Sequence, residues 1–184
     1  MIFLTVGGQL PFDRLVHAVD EWATLHPDVE CSAQVGVTSR PPSTIPFSAF
    51  LEPAELRRRI FEADLVVTHA GMGTILTALE LGTPLVVMPR HGARRETRND
   101  HQLATARVFA DHPSVSVAWD ESELPRLLAT RPGPVERPIP SHASLPLLTA
   151  LRGFITGEDV GDRTPASDPA VAEETPVPRL RSAA

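Results

Sequence analysis

Short apolar runs alternate along this chain with segments whose apolar residues recur every three to four positions. Residues 2–6 form an apolar run stopped by Gly7-Gly8, the pattern of a buried strand entering a turn. Phe12, Leu15, Val16, Val19, Trp22 and Ala23 then fall on one face of a helix. Residues 30–37 and 45–51 read as two further strands separated by a loop containing Pro and Ser. Pro53 opens a helix through Leu56 and Ile60, because proline fits a first helical turn. Leu65-Val66-Val67, continued by Thr68, is the next strand. Ile75, Leu76 and Leu79 mark a helix closed by Gly82. Residues 85–88 form a strand stopped by Pro89. An Arg-rich loop, a helix over about 100–110, a strand at 115–118 and a helix marked by Leu124, Leu127 and Leu128 follow.

Strand and helix in regular alternation imply a parallel sheet covered by helices on both faces. Right-handed crossovers make this a doubly wound, Rossmann-like α/β fold. Ligands of such sheets bind beyond the carboxyl ends of the strands. The loops to inspect therefore follow Val6, Thr68 and Met88. Residues 1–130 read as this domain. Residues 131–156 read as a Pro-rich connector followed by a helix whose stripe, Leu147, Leu148, Leu151 and Ile155, is expected to pack on the sheet. Residues 157–184, poor in apolar side chains and interspersed with proline, read as a disordered tail.

Composition narrows the chemistry. The chain has 184 residues, of which 42% are apolar, enough for a core. Its net charge of −6 argues against a general nucleic-acid binder. All 17 basic residues are Arg, which excludes Schiff-base lysine chemistry and a P-loop lysine. A single cysteine, Cys31, excludes an internal disulfide and a cysteine metal cluster. No apolar run approaches the ~20 residues that span a bilayer, and the N-terminus lacks the pattern of a signal peptide. A single-domain intracellular protein is the expectation.

The segment over 63–89, ADLVVTHAGMGTILTALELGTPLVVMP, carries the strongest chemical signal. A strand ends at Thr68-His69, turns through Gly71 and Gly73, and enters a helix at Thr74. Glycines let the backbone approach a ligand, and a helix start presents unpaired N–H groups and a positive dipole end, so the segment suits a phosphate. Thr74 adds a hydroxyl and His69 a ring N–H. An ordinary capped strand-to-helix turn would leave the same glycines. Gly71-Met72-Gly73 also opens like a dinucleotide fingerprint. It lacks the third small residue, follows about the fourth strand, and has no acidic strand-end partner some 20 residues on.

These residues, with TVGGQLPFDRLV at the start and GTPLVVMPR followed by RNDHQLATA, resemble the nucleotide-sugar-binding half of GT-B glycosyltransferases. The likeness is to the family-28 group that includes Alg13-type subunits, and more narrowly to PssE-like subunits of bacterial exopolysaccharide synthesis. It covers roughly residues 1–119. By this resemblance, Gly7 and Gly8 approach the donor diphosphate, and His69, Gly71, Gly73 and Thr74 bind it. Phe50 and Leu51 pass the uracil ring. His101 and Gln102, with Asp100 beside them, hydrogen-bond the donor sugar, although Asn99 or Asp100 also suits a helix cap. Relatives carry a ribose-binding glutamate where this chain has Thr77. Glu80, one turn on, either shares that contact with Thr77 or is a solvated helix residue. Of Arg90, Arg94, Arg95 and Arg98, Arg90 is the best candidate to neutralise the diphosphate.

The resemblance implies a UDP-sugar donor substrate, no cofactor and no bound metal. His69 would stabilise the leaving diphosphate, and no general base is read in this chain. It further implies a split enzyme. An Alg14- or PssD-like membrane-anchored subunit would supply the acceptor lobe, and the acceptor would be a lipid-linked glycan carried on a polyprenyl diphosphate. The chain would then be cytoplasmic and peripheral to the inner face of the plasma membrane through that partner. A non-catalytic nucleotide-sugar-binding subunit and a UDP-sugar epimerase-like enzyme are the alternatives.

Overall fold

The computed structural model describes residues 1–157. They divide into two compact units, Met1–Ser141 and a second beginning at His142. In the first, six strands form one parallel sheet in the order β3-β2-β1-β4-β5-β6. The strands are β1 (Ile2–Thr5), β2 (Cys31–Gln34), β3 (Phe47–Ser48), β4 (Leu65–His69), β5 (Leu85–Met88) and β6 (Val115–Val117). Helices α1 (Asp13–Leu25), α2 (Pro53–Glu62), α3 (Met72–Glu80), α4 (His101–Phe109) and α5 (Leu124–Thr130) connect or follow them. This is the expected doubly wound α/β sheet.

The strands are buried on both faces, which is why they read as continuous apolar runs. Alternate residues divide between two cores. Ile2, Leu4, Leu65, Val67, Val86 and Met88 face α1 and α5. Phe3, Val66, Leu85 and Val87 face α2, α3 and α4, meeting Ile60, Ile75, Leu79 and Ala106. Each such apolar side chain contributes roughly 1.5–3 kcal/mol by leaving water.

The strand order reverses between β1 and β4. From β1 the chain steps outward through β2 to β3, then returns to β4 and steps the other way. The register Thr5↔Thr68 sets the ends of these two central strands level. The turns after Val6 and His69 therefore emerge side by side at the carboxyl edge, the crevice where doubly wound sheets bind ligands.

Several element boundaries differ from the sequence reading. The strand expected over 30–37 pairs only over Cys31–Gln34, and that expected over 45–51 only over Phe47–Ser48. β3 is an edge strand with two residues in register with β2, although the Pro46 and Ala49 carbonyls on either side of it still accept from the Ala33 and Gly36 amides at 2.9 and 2.8 Å. The connector expected over 131–156 is in part packed structure, since Val135 and Ile139 lie against the second core and the Ser114 hydroxyl donates to the Pro134 carbonyl at 2.9 Å.

In the second unit, α6 (Leu145–Thr156) forms where the apolar stripe predicts a helix. Leu147, Leu148, Leu151 and Ile155 are all exposed, Ile155 by 79%. The tail expected over 157–184 lies, beyond Gly157, outside the described residues.

The loop between β2 and β3 has few apolar residues, and two carboxylates of α1 hold it. Asp20 is buried and accepts hydrogen bonds from the Ser43, Thr44 and Ile45 amides at 2.8–2.9 Å and from the Ser43 hydroxyl at 3.0 Å. Two turns earlier, Asp13 accepts from the Thr38 and Ser39 hydroxyls. Burial pushes the Asp20 carboxyl up, but these donors together hold it below the usual carboxylate range. Asp20→Ala strands three amides, so we expect a loss of roughly 2–4 kcal/mol in urea unfolding, with the loss shrinking below the carboxyl's unfolded pKa of 3.8.

Candidate functional site

A cleft of about 330 Å³ opens at the carboxyl edge of the sheet. Its walls come from three loops and two helix starts: Val6–Leu10 after β1, His69–Thr74 around the start of α3, Arg90, Glu96 and Thr97 after β5, and His101 and Gln102 at the start of α4. The parallel topology thus brings together eight of the residues singled out in the sequence: Gly7, Gly8, His69, Gly71, Gly73, Thr74, His101 and Gln102. Arg90 joins them, in a different posture from the expected one.

His69 stands at the centre. Its Nδ1 lies 3.3 Å from the Thr68 hydroxyl, whose single proton is donated to the Thr5 carbonyl at 2.8 Å. Nδ1 must therefore be the donor, and Nε2 carries the lone pair in the neutral ring. Burial, with Arg90 nearby, pushes the imidazole down to about 4, so the ring is neutral at pH 7. The N–H expected to face a phosphate is thus absent from Nε2 until the ring takes up a proton.

The glycines serve two separate purposes. A Cβ on Gly71 would lie 2.2 Å from His69 Nε2, and one on Gly7 would lie 2.8 Å from His69 Cε1. Both are glycine because the imidazole fills the space where a side chain would go. Gly7 also has φ +73°, which L side chains rarely adopt. Gly73 differs, since a Cβ there meets nothing within 4 Å. It borders open space in the first turn of α3, where the amides have no intrahelical acceptor. Thr74 half-lines the same space, and its hydroxyl makes no hydrogen bond within the described residues.

On the opposite wall, Asn99 Oδ1 accepts from both the main-chain N–H and the Nδ1 of His101. This leaves His101 Nε2 as an acceptor. Gln102 is buried, and its Oε1 accepts the Arg90 main-chain N–H at 3.2 Å, leaving its NH₂ group for a ligand. Asp100 does not line the cleft; its carboxylate accepts the Gly92 amide at 2.8 Å. Glu96 is the carboxylate in the wall among the described residues. It is held by Arg14 through two bonds of 2.8 and 2.9 Å and by the His91 amide, so it is not poised as a base. Arg14 also pairs with Glu121 at 2.8 Å.

The remaining candidates lie apart. Phe50 is exposed at the rim, 3.7 Å from where a Gly8 Cβ would be, and Leu51 packs on the second core. Thr77 lies in a neighbouring cleft of about 340 Å³ with Pro53, Leu56, Arg57 and Ile60; Gly73 and Thr74 belong to both clefts. The Thr77 hydroxyl donates to the Gly73 carbonyl at 2.8 Å. Glu80 lines neither cleft and forms a two-bond ion pair with Arg57 at 2.9 and 3.1 Å. Arg94, Arg95 and Arg98 are exposed and line neither cleft. No group of three His, Cys, Asp or Glu suited to a metal occurs among the described residues.

This separation of roles is testable by stability alone. Gly71→Ala must displace the imidazole, and we expect a loss of roughly 1–3 kcal/mol in thermal unfolding together with a shifted His69 NMR signal. Gly73→Ala should leave stability unchanged or raise it by up to about 1 kcal/mol, because alanine is the better helix former.

Residues 1–130 match the glycosyltransferase family 28 C-terminal domain. The chain is 34% identical over 117 residues to the human UDP-N-acetylglucosamine transferase subunit ALG13, covering 58% of this chain and 10% of that protein. Two solved structures share the fold at a TM-score of 0.50 each. The glycotransferase of kitacinnamycin is 22% identical, with 85% of this chain and 39% of that chain covered. MurG from Acinetobacter baumannii is 23% identical, with 70% and 40% covered. The chain therefore spans well under half of each of these relatives. On the match over residues 1–130, it belongs to the glycosyltransferase family 28 C-terminal domain family.

Proposed function

We propose that this chain is the donor-binding, catalytic subunit of a split GT-B glycosyltransferase that takes a sugar from a UDP-sugar. The observation that carries this reading is the open space at Gly73, bounded by the first turn of α3, the unbonded Thr74 hydroxyl and the neutral His69 ring. Unpaired amides and a helix dipole suit a diphosphate. His101 Nε2 and the Gln102 amide, on the facing wall, suit the hydroxyls of a sugar. The nucleoside would extend over Gly73 and Thr74 towards Thr77 and the apolar wall of the neighbouring cleft.

In this reading the sugar–phosphate bond breaks as an acceptor hydroxyl attacks, and charge accumulates on the departing diphosphate. The α3 amides stabilise that charge without reorganising. His69 contributes as imidazolium, since a dianion beside Nε2 raises its pKa and draws on a proton from solvent. The base for the attacking hydroxyl would come from a partner, because Glu96 is committed to Arg14. The human relative is a transferase subunit by name, which supports a partner; in this reading that partner is a membrane-anchored, Alg14- or PssD-like subunit that would present a lipid-linked acceptor in polysaccharide synthesis. Among the described residues no helix is long and apolar enough to cross a membrane. A non-catalytic binding subunit is the second reading, favoured by the commitment of Glu80 to Arg57. Sugar transfer after co-expression with a partner separates the two.

Titration calorimetry with UDP-N-acetylglucosamine tests the site. Gly73→Asp puts a carboxylate where the phosphates go, and binding should weaken by at least ~100-fold while the fold persists; unchanged affinity would place the donor elsewhere. The same titration should be linked to protons. The free His69 titrates at about 4, so binding that requires imidazolium tightens as pH falls from 7.5 to 5, approaching tenfold per pH unit. His69→Gln should flatten that dependence. A flat wild-type profile would mean that His69 stays neutral in the complex.

A further inference from the structure

We propose that Arg90 is a positioning residue that shapes the cleft through the main chains it clamps, and that its guanidinium does not touch the ligand. The side chain is buried, with 3% of its surface exposed. Its Nη2 donates to the Val6 carbonyl at 2.7 Å. Its Nη1 faces the carbonyls of Leu10, Pro11 and Glu96 at 2.5, 3.0 and 2.9 Å. One planar fork thus grips the loop after β1 at both of its ends and ties it to the loop after β5. The Phe12 ring lies against the guanidinium, 4.8 Å from Cζ to the centroid, so the fork cannot tilt freely. The Arg90 main-chain N–H meanwhile fixes the Gln102 carbonyl oxygen.

The clamped segments are the ones that wall the cleft: Gly7 and Gly8 sit between the gripped carbonyls of Val6 and Leu10. The Gln34 amide reaches the Gly7 carbonyl at 3.3 Å, but the Arg90 fork is what joins the two ends of the loop. Gly7 and Gly8 have no side chains, and the loop has no regular secondary structure between β1 and α1. Lysine cannot substitute, because an ammonium is a point donor and lacks the fork that spans carbonyls on two loops. A direct charge on the phosphate would tolerate that change far better. The binding arm of the test below rests on the donor-site reading; the exchange arm does not.

Arg90→Lys and Arg90→Met should both speed amide hydrogen exchange over 7–12 and 92–98 by at least ~10-fold, with the sheet strands unchanged. Both should weaken UDP binding by at least ~10-fold, the lysine variant about as much as the methionine. Unchanged exchange in those two loops overturns the clamp, as does lysine restoring near-native affinity, or loosened loops with native affinity. Should either variant fail to fold, the wild-type protein answers the question by ¹⁵N NMR of the Arg90 side chain. The clamp predicts slow, separately resolved Nη protons that barely move on adding UDP. A large shift of those protons with UDP would mean direct contact and would overturn the proposal. A wild-type chain that ignores UDP would overturn the donor reading, and the exchange arm would still decide the clamp.

Discussion

The cleft depends on a buried polar thread that crosses the sheet from β2 through β1 to β4. The Thr5 hydroxyl donates to Gln34 Oε1 at 2.5 Å, the Thr68 hydroxyl donates to the Thr5 carbonyl, and His69 Nδ1 donates to the Thr68 hydroxyl. The Gln34 amide completes the thread by reaching the Gly7 carbonyl at 3.3 Å. Thr5, Gln34 and Thr68 are all buried, so each of these bonds would be expensive to leave unmade. A slip in the Thr5↔Thr68 register would break the thread and separate Gly7 from His69. The thread therefore specifies both the pairing of the central strands and the seat of the imidazole.

From that seat the electrostatic character of the cleft follows. The chain as a whole carries a charge of −6, yet the wall contains a buried guanidinium and a helix start beside a neutral imidazole, while its one carboxylate, among the described residues, is neutralised by Arg14. Burial lowers Arg90 to about 10, still far above neutrality, and Glu96 counteracts that fall. The site is thus locally cationic within an acidic protein. This arrangement favours an anion in the cleft.

Much of this was legible in the sequence. Leu65-Val66-Val67 and Leu85-Val86-Val87 have the unbroken apolar character of strands buried on both faces, and the glycines at 7, 8, 71 and 73 mark the turns at their ends. Side-chain commitments were not legible. Gly71 reads as room for a ligand, whereas the space belongs to His69, a neighbour two residues away whose ring folds back. Arg90 reads as a cation for phosphate because nothing local reveals the carbonyls of Val6 and Leu10, some 80 residues earlier. Asp13 and Asp20 lie seven apart on α1, and no motif in the sequence marks them as the anchors of the loop between β2 and β3. In α6 the stripe correctly announces a helix, yet apolar spacing specifies a face without specifying what, if anything, covers it.

The central claim is that the turns after β1 and β4 and the start of α4 form one binding surface for a nucleotide sugar. Backbone amide NMR of the chain titrated with UDP-N-acetylglucosamine tests it most directly. The account predicts saturable shifts concentrated at Gly7, Gly8, Gly71–Thr74 and Gln102, with strand residues on the amino edge of the sheet unmoved. Shifts clustered away from the carboxyl edge, or none at millimolar ligand, would contradict it.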